Sequence, residues 1–503
     1  MSDSTYIELP PSPSSSISGL REIGYTINTA VADIIDNSVT AGASNIWIKF
    51  VWAEEKSYVS ILDDGIGMDD EDLESAMRPG SKNPNDERSA NDLGRFSLGL
   101  KTASWSQANK LYVWSKTQES KVHSLGWDIE EVEKRDKWVV EKDLKKSRDL
   151  QDLEELDSGT LIEWHDLKLV SDMSNVSAGT TSRDEFNHFI DDLEKYLGMI
   201  FHRFIDGKNK LNNKLKIFLN DDEIPSWDPF SAGVRVQSQR TPDENLEYKD
   251  CRISIKGYVL PHKDLLETGE FEQGGGREGW LKHQGFFVYR SDRLIVPGDW
   301  LGLGRGGKKW QDEEQYRLAR LSIDIPNAID KDWSLDLKKE MTVPPKVLRE
   351  KLTRHAEEVR EKARQSFVKR GKYGPRPKRS YFDDIRVWEN GTRLGKVVYK
   401  VNNKHPAIAQ FVSSIGPFAK SFKRIVRLIE ECVPVQQMWI DSTESDIAVP
   451  FDGTEEELVG DIRAFYDLLT QSVSKTHKQA CEIIKNSEPY NRYPQLVDKE
   501  LGD

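Results

Sequence analysis

Two residues near the start of the chain have the types and the spacing of a ligand site on a helix. In the segment Val31-Ala-Asp-Ile-Ile-Asp-Asn-Ser38, Asp33 and Asn37 are four positions apart and so share one face of a predicted helix. The carboxylate can polarise a water molecule, and the amide oxygen can bind magnesium, which prefers hard oxygen ligands. The same spacing is common on solvated helix faces, so it indicates a site only together with other motifs.

A second segment, Leu62-Asp-Asp-Gly-Ile-Gly-Met68, follows a predicted strand. Its two glycines, one residue apart, allow a sharp turn and a close approach to a flat ligand. A carboxylate ahead of them can accept a hydrogen bond from an exocyclic amine. A plain β-turn is the competing interpretation, because Asp-Gly is a strong turn signal.

Two further segments could contact the same ligand. Gly94-Arg-Phe-Ser-Leu-Gly-Leu-Lys-Thr-Ala103 is a glycine-bearing loop that runs into a helix-compatible stretch. Such a loop can bind phosphate through free backbone amides, and Lys101 could add positive charge. Ser158-Gly-Thr-Leu-Ile-Glu-Trp164 opens a strand from which the hydroxyl of Thr160 could bridge to the carboxylate of the second segment.

The pattern of apolar residues predicts the elements that must position these segments. Helical periodicity runs from Ile23 to Ala41, and residues 69–98 are polar and interrupted by proline and glycine. A loop of that length in a compact domain is typical of a lid over a binding site. Strand patterns lie at 45–50, 59–62, 110–115 and 160–165.

In this order and spacing, the four segments resemble the N box, the two glycine boxes and the terminal Gly-Thr strand of the GHKL ATPases. That superfamily includes DNA gyrase B, MutL, the large heat-shock chaperones and the histidine kinases. The resemblance covers residues from about 20 to 166. It implies a fold of the α/β (α+β) class, the Bergerat sandwich, in which an antiparallel or mixed sheet has helices on one face. It also implies ATP as the ligand and Mg²⁺ as its cofactor.

The resemblance assigns roles to individual residues. Asp64 corresponds to the carboxylate that reads adenine, Asn37 to the magnesium ligand and Asp33 to the catalytic general base. The expected nucleotide-binding residues are Asn37, Asp64, Gly65, Gly67, Met68, Gly94, Phe96, Ser97, Leu98, Gly99, Leu100, Lys101 and Thr160.

Two positions depart from the family pattern. Asp33 stands where the family has Glu, and Ser97 stands where it has a second lid glycine. A general base must come within roughly 2.6–3.2 Å of the proton it takes, directly or through one water, and the side chain of Asp is one methylene shorter than that of Glu. We therefore expect ATP binding with slow hydrolysis.

Residues from about 184 to 345 resemble the S5-like transducer domain that follows the ATPase domain in gyrase B, MutL and MORC proteins. The clearest match is Gln284-Gly-Phe-Phe-Val-Tyr-Arg-Ser-Asp-Arg-Leu-Ile295, a predicted strand-turn-strand. A transducer lysine reaches the γ-phosphate in that family, which makes Lys338 and Lys339 candidate catalytic residues. Two surface lysines are the alternative interpretation. The region has a helical pattern at 184–205 and strand patterns at 214–219, 251–260, 284–296 and 319–325.

A second segment resembles a different nucleotide-binding motif, the Walker A loop, but it lacks residues that this motif requires. Gly302-Leu-Gly-Arg-Gly-Gly-Lys-Lys309 is close to a Walker A loop, but Lys309 stands where a Ser or Thr must hold magnesium. The polar stretch that follows is also unlike the apolar helix of a P-loop protein. We interpret this segment as a flexible loop with a basic surface.

The composition of the 503 residues bounds the class of protein. The chain is 37% hydrophobic and has no apolar run near the roughly 20 residues of a membrane span. Its net charge of -13 argues against coating nucleic acid with the whole surface, but not against a local basic patch. Cys251, Cys432 and Cys481 are far apart, which favours neither disulfides nor a zinc site. No secretory signal is visible, so we expect a cytoplasmic protein without a membrane partner.

The sequence predicts five segments, and the fourth has a distinctive charge pattern. It ends in Lys369-Arg-Gly-Lys-Tyr-Gly-Pro-Arg-Pro-Lys-Arg379, which has six basic residues and no acidic ones and is either a linker or a phosphate-binding strap. The segments are a flexible tail at 1–18, the ATP-binding domain at 19–175, the transducer at 176–345, a charged helix and basic linker at 346–379, and a C-terminal domain at 380–503 with a short strand-like opening and then helices.

Two classes of function fit this organisation. The long polar lid and the stretch from Tyr289 to Ile295 are most similar to bacterial MORC-like ATPases. That resemblance implies an ATP-dependent homodimer acting as a clamp or remodeller on DNA, with restriction or anti-phage defence proteins as partners. The alternative is a chaperone-like or scaffolding ATPase that closes on a protein partner. A sensor histidine kinase is not expected, because no helical pair with a phospho-accepting histidine precedes the ATPase region.

Overall fold

The computed structural model divides the chain into two compact units, Met1–Arg370 and Gly371–Asp503. The residues it describes are 11–22, 24–80, 99–145, 147–168, 182–210, 213–231, 237–333, 342–368, 387–393, 396–433, 455–472, 475–487 and 490–502.

The first unit opens with an eight-stranded mixed sheet in the order β5-β4-β3-β6-β2-β1-β7-β8. All its strand pairs are antiparallel except β1 with β7. The strands are β1 Asn45–Val51, β2 Tyr58–Asp63, β3 Ala108–Lys116, β4 His123–Asp128, β5 Glu141–Lys142, β6 Gly159–Leu167, β7 Lys216–Leu219 and β8 Asp222–Glu223. The predicted strands at 45–50, 59–62, 110–115 and 160–165 are confirmed.

Apolar residues are buried on both faces of this sheet. Alternation along β1 sends Ile46 and Ile48 to a large core formed with the helices, and Trp47 to a smaller cluster that contains Leu150 and Leu153. The helices of this region are α1 Pro13–Arg21, α2 Ile27–Thr40, α3 Asp70–Met77, α4 Gly99–Gln107, α5 Ile129–Arg135, α6 Leu150–Glu155, α7 Ser182–Ile200 and α8 His202–Ile205. Because α6 packs on the smaller cluster, helices lie on both faces rather than on one.

The central helix α2 begins at Ile27, four residues later than the pattern predicts. Thr26 is its N-cap: the hydroxyl of Thr26 accepts from the amide of Thr29, and the side chain of Thr29 accepts from the amide of Thr26. This reciprocal capping box satisfies two backbone donors that a helix start otherwise leaves free.

Two predicted irregular segments contain helices. Residues 13–18 of the expected tail belong to α1, and Ile17 anchors that helix in the main core. Within the expected loop 69–98, residues 70–77 form α3, capped by Asp69 and carrying three acidic residues in its first turn. Acidic groups at a helix N-terminus stabilise it through the helix dipole, which explains why this polar stretch is ordered.

A second, six-stranded sheet follows in the order β10-β11-β16-β12-β13, with β9 paired to β11. Its strands are β9 Gln239–Arg240, β10 Glu244–Tyr248, β11 Cys251–Val259, β12 Gly285–Arg290, β13 Arg293–Pro297 and β16 Ala319–Ile325; a separate hairpin joins β14 Gly304–Arg305 to β15 Lys308–Lys309. The predicted strands of this region and the strand-turn-strand at 284–296 are confirmed. The Walker A-like segment forms the small hairpin.

Helix α11 covers the second sheet. The helices of this part are α9 Thr268–Gly275, α10 Gly279–Lys282 and α11 Lys346–Val368. Residues of α11 at spacings of three and four are fully buried, as a helix with one apolar stripe requires. They are Leu348, Leu352, Ala356, Val359 and Ala363.

The first sheet extends past the expected domain boundary at 175/176. Strand β7 pairs with β1 in parallel, and residues of α7 belong to the same core as α2. Phe287, Tyr289 and Leu294 of the second sheet are also part of that core. The two sheets are therefore packed together through shared apolar residues.

The second unit has a strand hairpin followed by helices, as predicted. Its elements are β17 Trp388–Arg393, β18 Lys396–Val401, α12 Pro406–Ser414, α13 Ala419–Glu431, α14 Glu455–Asp467, α15 His477–Asn486 and α16 Pro494–Leu501. Its core comprises Leu458, Ile462, Phe465, Leu469, Ala480, Ile483, Ile484 and Val497. In the described parts of the chain, no helix combines the length and apolar character needed to cross a bilayer.

Candidate nucleotide site

The carboxylate of Asp63 lies buried where strand β2 ends. The hydroxyl of Ser38 donates to its Oδ2 at 2.7 Å, and the backbone amide of Gly65 donates to its Oδ1 at 3.0 Å. Thr160 is its direct neighbour on strand β6. Burial raises the pKa of Asp63 to about 6, against the lowering effect of these hydrogen bonds. The result is a buried acceptor held at a defined position between α2 and the sheet.

The carboxylate of Asp64, which the sequence analysis expected to read adenine, is hydrogen-bonded to residues 44 and 45 at the start of β1. Its Oδ1 accepts from the backbone amides of Ser44 at 2.7 Å and Asn45 at 2.8 Å, and its Oδ2 accepts from the side-chain amide of Asn45 at 2.7 Å. These bonds fix the start of β1. The carboxylate next to Ser38 and Thr160 is that of Asp63, so Asp63 rather than Asp64 is the better candidate for the adenine-reading role. The spacing Asp63-x-Gly65-x-Gly67 was the available signal.

The turn after Asp63 accepts only glycine at Gly67. Its φ is +67°, and a Cβ there would lie 1.8 Å from the carbonyl oxygen of Lys116. A Cβ on Gly65 would lie 2.9 Å from the Cβ of Ala41. Since no side chain fits, the backbone of this turn approaches β3 and the end of α2 closely, as the two-glycine motif predicts.

Hydroxyl groups hold the turn against the sheet. Ser115 donates to the carbonyl of Gly159 at 2.9 Å, lies 2.9 Å from the hydroxyl of Thr160, and accepts from the amide of Met68 at 2.9 Å. Ser158 donates to the carbonyl of Gly65 at 2.8 Å. Thr160 therefore belongs to a hydroxyl network beside Asp63, in which its hydroxyl pairs with that of Ser115. The sequence analysis missed Ser38 and Ser115, because single serines carry no motif.

Asp33 and Asn37 lie on α2, but their exposure differs. Asp33 is buried and accepts a 2.9 Å hydrogen bond from the hydroxyl of Tyr25, while Asn37 is exposed. Burial and the adjacent Asp33 raise the pKa of Tyr25, so its hydroxyl stays protonated. A Cβ on Gly99 would lie 3.6 Å from Oδ2 of Asp33, which places the start of α4 beside this carboxylate. Leu100, next along α4, is half-buried.

Lys101 is buried, and its ammonium group donates hydrogen bonds to backbone carbonyls. Its ammonium donates to the carbonyl of Ala76 at 2.6 Å and to that of Arg78 at 3.1 Å, at the C-terminal end of α3. Burial lowers the pKa of Lys101 to about 8. The sequence analysis expected a phosphate contact, and in this arrangement such a contact would require both bonds to break.

Six expected site residues lie outside the described part of the chain. They are Gly94, Phe96, Ser97 and Leu98 of the lid and the two transducer candidates Lys338 and Lys339.

The described residues fit a nucleotide better than a metal held by protein ligands alone. They contain no group of three or more His, Cys, Asp or Glu that could hold an ion. Asn37 offers a single exposed amide oxygen, which suits Mg²⁺ when phosphates and waters supply its other ligands. The glycine-only turn beside a buried carboxylate provides a cradle for a flat base with an exocyclic donor.

Comparison with known proteins agrees with this geometry. Residues 25–160 match the family model described as histidine kinase-, DNA gyrase B- and HSP90-like ATPase. The matched range begins at Tyr25 and ends at Thr160, so it contains the first three motifs and the opening Ser158-Gly-Thr160 of the fourth. No curated protein sequence matches the chain. The match supports a GHKL-superfamily ATPase, with the ATP binding and hydrolysis typical of that superfamily.

Proposed function

We propose that the first unit binds ATP and hydrolyses it slowly. In the bound state, the exocyclic amine of adenine donates a hydrogen bond to the carboxylate of Asp63. The observation that carries this proposal is the buried Asp63 carboxylate, fixed by Ser38 and Gly65 beside a turn that only Gly67 allows. A fixed acceptor next to closely approaching backbone suits a planar base with an amino group. Thr160 is paired with Asp63 across the two strands, and its hydroxyl contacts that of Ser115.

The α2 face supplies the chemistry at the phosphates in this proposal. Asn37 holds Mg²⁺, which neutralises phosphate charge when bound, and Asp33 polarises the attacking water. In this proposal Gly94 and Gly99 contact the phosphates, and Met68 is a further contact to the nucleotide. The other proposed nucleotide contacts of the lid are Phe96, Ser97, Leu98, Leu100 and Lys101. Lys101 takes part only after it leaves the carbonyls of Ala76 and Arg78. Either Lys338 or Lys339 reaches the γ-phosphate. Turnover is slow because Asp33 is shorter than the family's Glu.

Nucleotide titration and steady-state hydrolysis test this proposal together. Wild-type protein should bind a fluorescent ATP analogue with full affinity only when Mg²⁺ is present. Unlabelled ATP should displace this analogue at lower concentrations than GTP does. Selectivity for adenine follows because the carboxylate of Asp63 can accept from the 6-amino group of adenine but not from the 6-carbonyl group of guanine. Equal binding of ATP and GTP would refute the role of Asp63.

At the next level, we propose a MORC-like protein that dimerises on ATP and acts as a clamp or remodeller on DNA, with restriction or anti-phage defence proteins as partners. Its basic strap at 369–379 and the hairpin that presents Arg305, Lys308 and Lys309 would contact the phosphate backbone. The side chain of Arg305 is 83% exposed, and its Nε lies 3.6 Å from Oε1 of Glu357. An S5-like transducer role for the second sheet belongs to this proposal.

Gel filtration and DNA binding test the clamp. The mass should double with a non-hydrolysable ATP analogue, and DNA should stimulate hydrolysis. Replacing the six basic residues of 369–379 with Gln should flatten the salt dependence of duplex binding by about 0.9 slope units for each phosphate that is no longer neutralised. Replacing the same number of exposed lysines elsewhere is the control. An unchanged slope would leave the strap as a linker.

A protein partner is the second candidate, and one surface favours it. Helix α13 exposes Ile425, Leu428 and Ile429 on the second unit, and Phe418, which precedes it, is 72% exposed. Exposed apolar residues that cluster in this way are typical of protein contact sites. Stimulation of hydrolysis by a protein client without DNA would favour the chaperone-like or scaffolding function.

A further inference from the structure

Arg293 crosses from the second sheet to the helix that carries Asp33 and Asn37. It opens strand β13, and its side chain is only 2% exposed. Its Nε lies 2.8 Å from Oδ1 of Asp36, and its Nη2 lies 3.9 Å from Oδ1 of Asp33. The sequence analysis singled out this strand-turn-strand as a resemblance but gave Arg293 no role.

The surroundings of Arg293 are charged on one side and aromatic on the other. Asp33 and Asp36 of α2 and Tyr196 of α7 raise the pKa of the guanidinium, although burial alone would lower it. The ring of Phe201, which follows α7, lies with its centroid 5.8 Å from the guanidinium carbon. A buried cation is stable only when such partners compensate for its lost hydration. Removing Arg293 would therefore leave the buried carboxylates of Asp33 and Asp36 without its positive charge.

The other buried arginine of the same hairpin behaves differently. Arg290 ends β12, and its Nε donates to Asp330 at 2.7 Å, within the second sheet and its connections. Two arginines of similar burial therefore flank the turn at Ser291 and Asp292. The bond from Arg290 to Asp330 joins two residues of the second sheet and its connections, whereas Arg293 reaches the nucleotide-proximal helix. This pair provides a matched comparison.

We propose that Arg293 is a positioning residue for Asp33 that couples the β12–β13 hairpin to the nucleotide site. The hydroxyl of Tyr25 holds Oδ2 of Asp33, and Arg293 faces Oδ1, so the carboxylate is oriented from two sides. One of those sides belongs to the second sheet. A shift of the hairpin therefore changes the orientation of Asp33. This inference rests on the proposed function, because it takes Asp33 as the water-activating group.

The split between kcat and KM tests the proposal. In Arg293→Met the carboxylate of Asp33 loses its neighbour on the Oδ1 side, while the bond from Tyr25 to Oδ2 remains. We therefore expect kcat to fall by about tenfold or more because the carboxylate is no longer oriented, with KM for ATP nearly unchanged.

Arg290→Met is the matched control. It removes a buried arginine from the same hairpin and should lower thermal stability while kcat stays close to that of the wild type. If Arg293→Met lowers kcat no more than Arg290→Met does, the positioning role is refuted. Arg293→Lys keeps the charge but not the planar fork, and it serves if the Met variant does not fold; it should lower kcat and leave KM nearly unchanged.

A measurement without hydrolysis separates this inference from the proposed function. Thermal unfolding of the nucleotide-free Asp33→Asn, Arg293→Lys and double variants should give midpoint shifts that do not add, because the two side chains interact directly. Additive shifts would refute the link. If the wild type binds no ATP, the proposed function fails, yet this cycle still decides whether Arg293 holds Asp33.

Discussion

The hydroxyl of Ser38 donates a 2.7 Å hydrogen bond to Asp63, which ties the C-terminal half of α2 to the end of β2. The amide of Gly65 binds the other oxygen of the same carboxylate. A nucleotide base recognised by Asp63 would therefore meet an acceptor that is already oriented. Pre-orientation reduces the entropic cost of binding.

Asp63→Asn should lower ATP affinity on the order of 100-fold, because a charged acceptor is replaced by a group that presents a donor to the adenine amine. The fold should persist, since an Asn can still accept from Gly65 and contact Ser38. Asp64→Asn is the control and should bind ATP normally while losing some stability at the start of β1. Isothermal titration measures both. Loss of binding in Asp64→Asn alone would reverse the assignment.

The pH dependence of stability should reveal Asp63 directly. Its folded pKa of about 6 is raised above the ordinary value of 3.8, so the folded state retains a proton that the unfolded state has released between these values. Stability therefore falls as pH rises through this window, and the full penalty applies above pH 6. Asp63→Asn removes the titration. Between pH 5 and pH 7, its unfolding free energy relative to wild type should rise by about 1.4 kcal/mol.

Urea unfolding at the two pH values measures this difference. Asp64→Asn again provides the comparison, because only the Asp63 change should remove the contribution that depends on pH. A constant difference between Asp63→Asn and wild type across the range would contradict a raised pKa in the folded protein.

Gly67→Ala should prevent ATP binding and destabilise the first sheet. The added Cβ would collide with the carbonyl of Lys116 at 1.8 Å, so the turn must move or open. Gly42→Ala is a matched control, since Gly42 has a similar φ of +76° but no atom within 4 Å of an added Cβ. That control should cost only about 1 kcal/mol for the left-handed backbone. Equal effects of the two changes in thermal unfolding would show that the contact with Lys116 is unimportant.

Asn37→Ala should remove the effect of Mg²⁺ on nucleotide affinity without changing the stability of the fold. Asn37 is exposed, so its removal leaves the core intact and the unfolding midpoint unchanged. The increase in nucleotide affinity on adding Mg²⁺ should disappear, while affinity measured in EDTA stays as in wild type. A variant that unfolds would indicate a structural asparagine instead.

Asp33→Asn should bind ATP but hydrolyse it at least about 100-fold more slowly, because the general base is gone. The amide can still accept from Tyr25, so the local structure should be retained. Asp33→Glu restores the reach typical of the family and should keep or raise the rate if the space beside Gly99 accommodates one more methylene. Wild-type turnover in Asp33→Asn would direct attention to Asp36.

The sequence alone determined most of the elements around the site. The strands at 45–51 and 58–63 are short and apolar, and the glycines of the turn at 65 and 67 leave few alternatives, so local pattern sufficed. It placed α3 and part of α1 in irregular segments, because their polar composition hides the caps and the single buried anchor Ile17 that stabilise them. Capping and distant packing are weak signals in a linear chain.

Only the tertiary structure decided which side chains meet. The spacing to Gly65 and Gly67 distinguishes Asp63 from its neighbour Asp64, but it does not show their partners. Asp63 accepts from Ser38 of α2 and Asp64 accepts from Asn45 of β1, and local pattern relates neither pair. Arg293 reaches Asp36 across 257 positions of the chain for the same reason. Periodicity fixes the direction of a side chain relative to its own element, but its partner depends on how the two sheets and α2 pack in space.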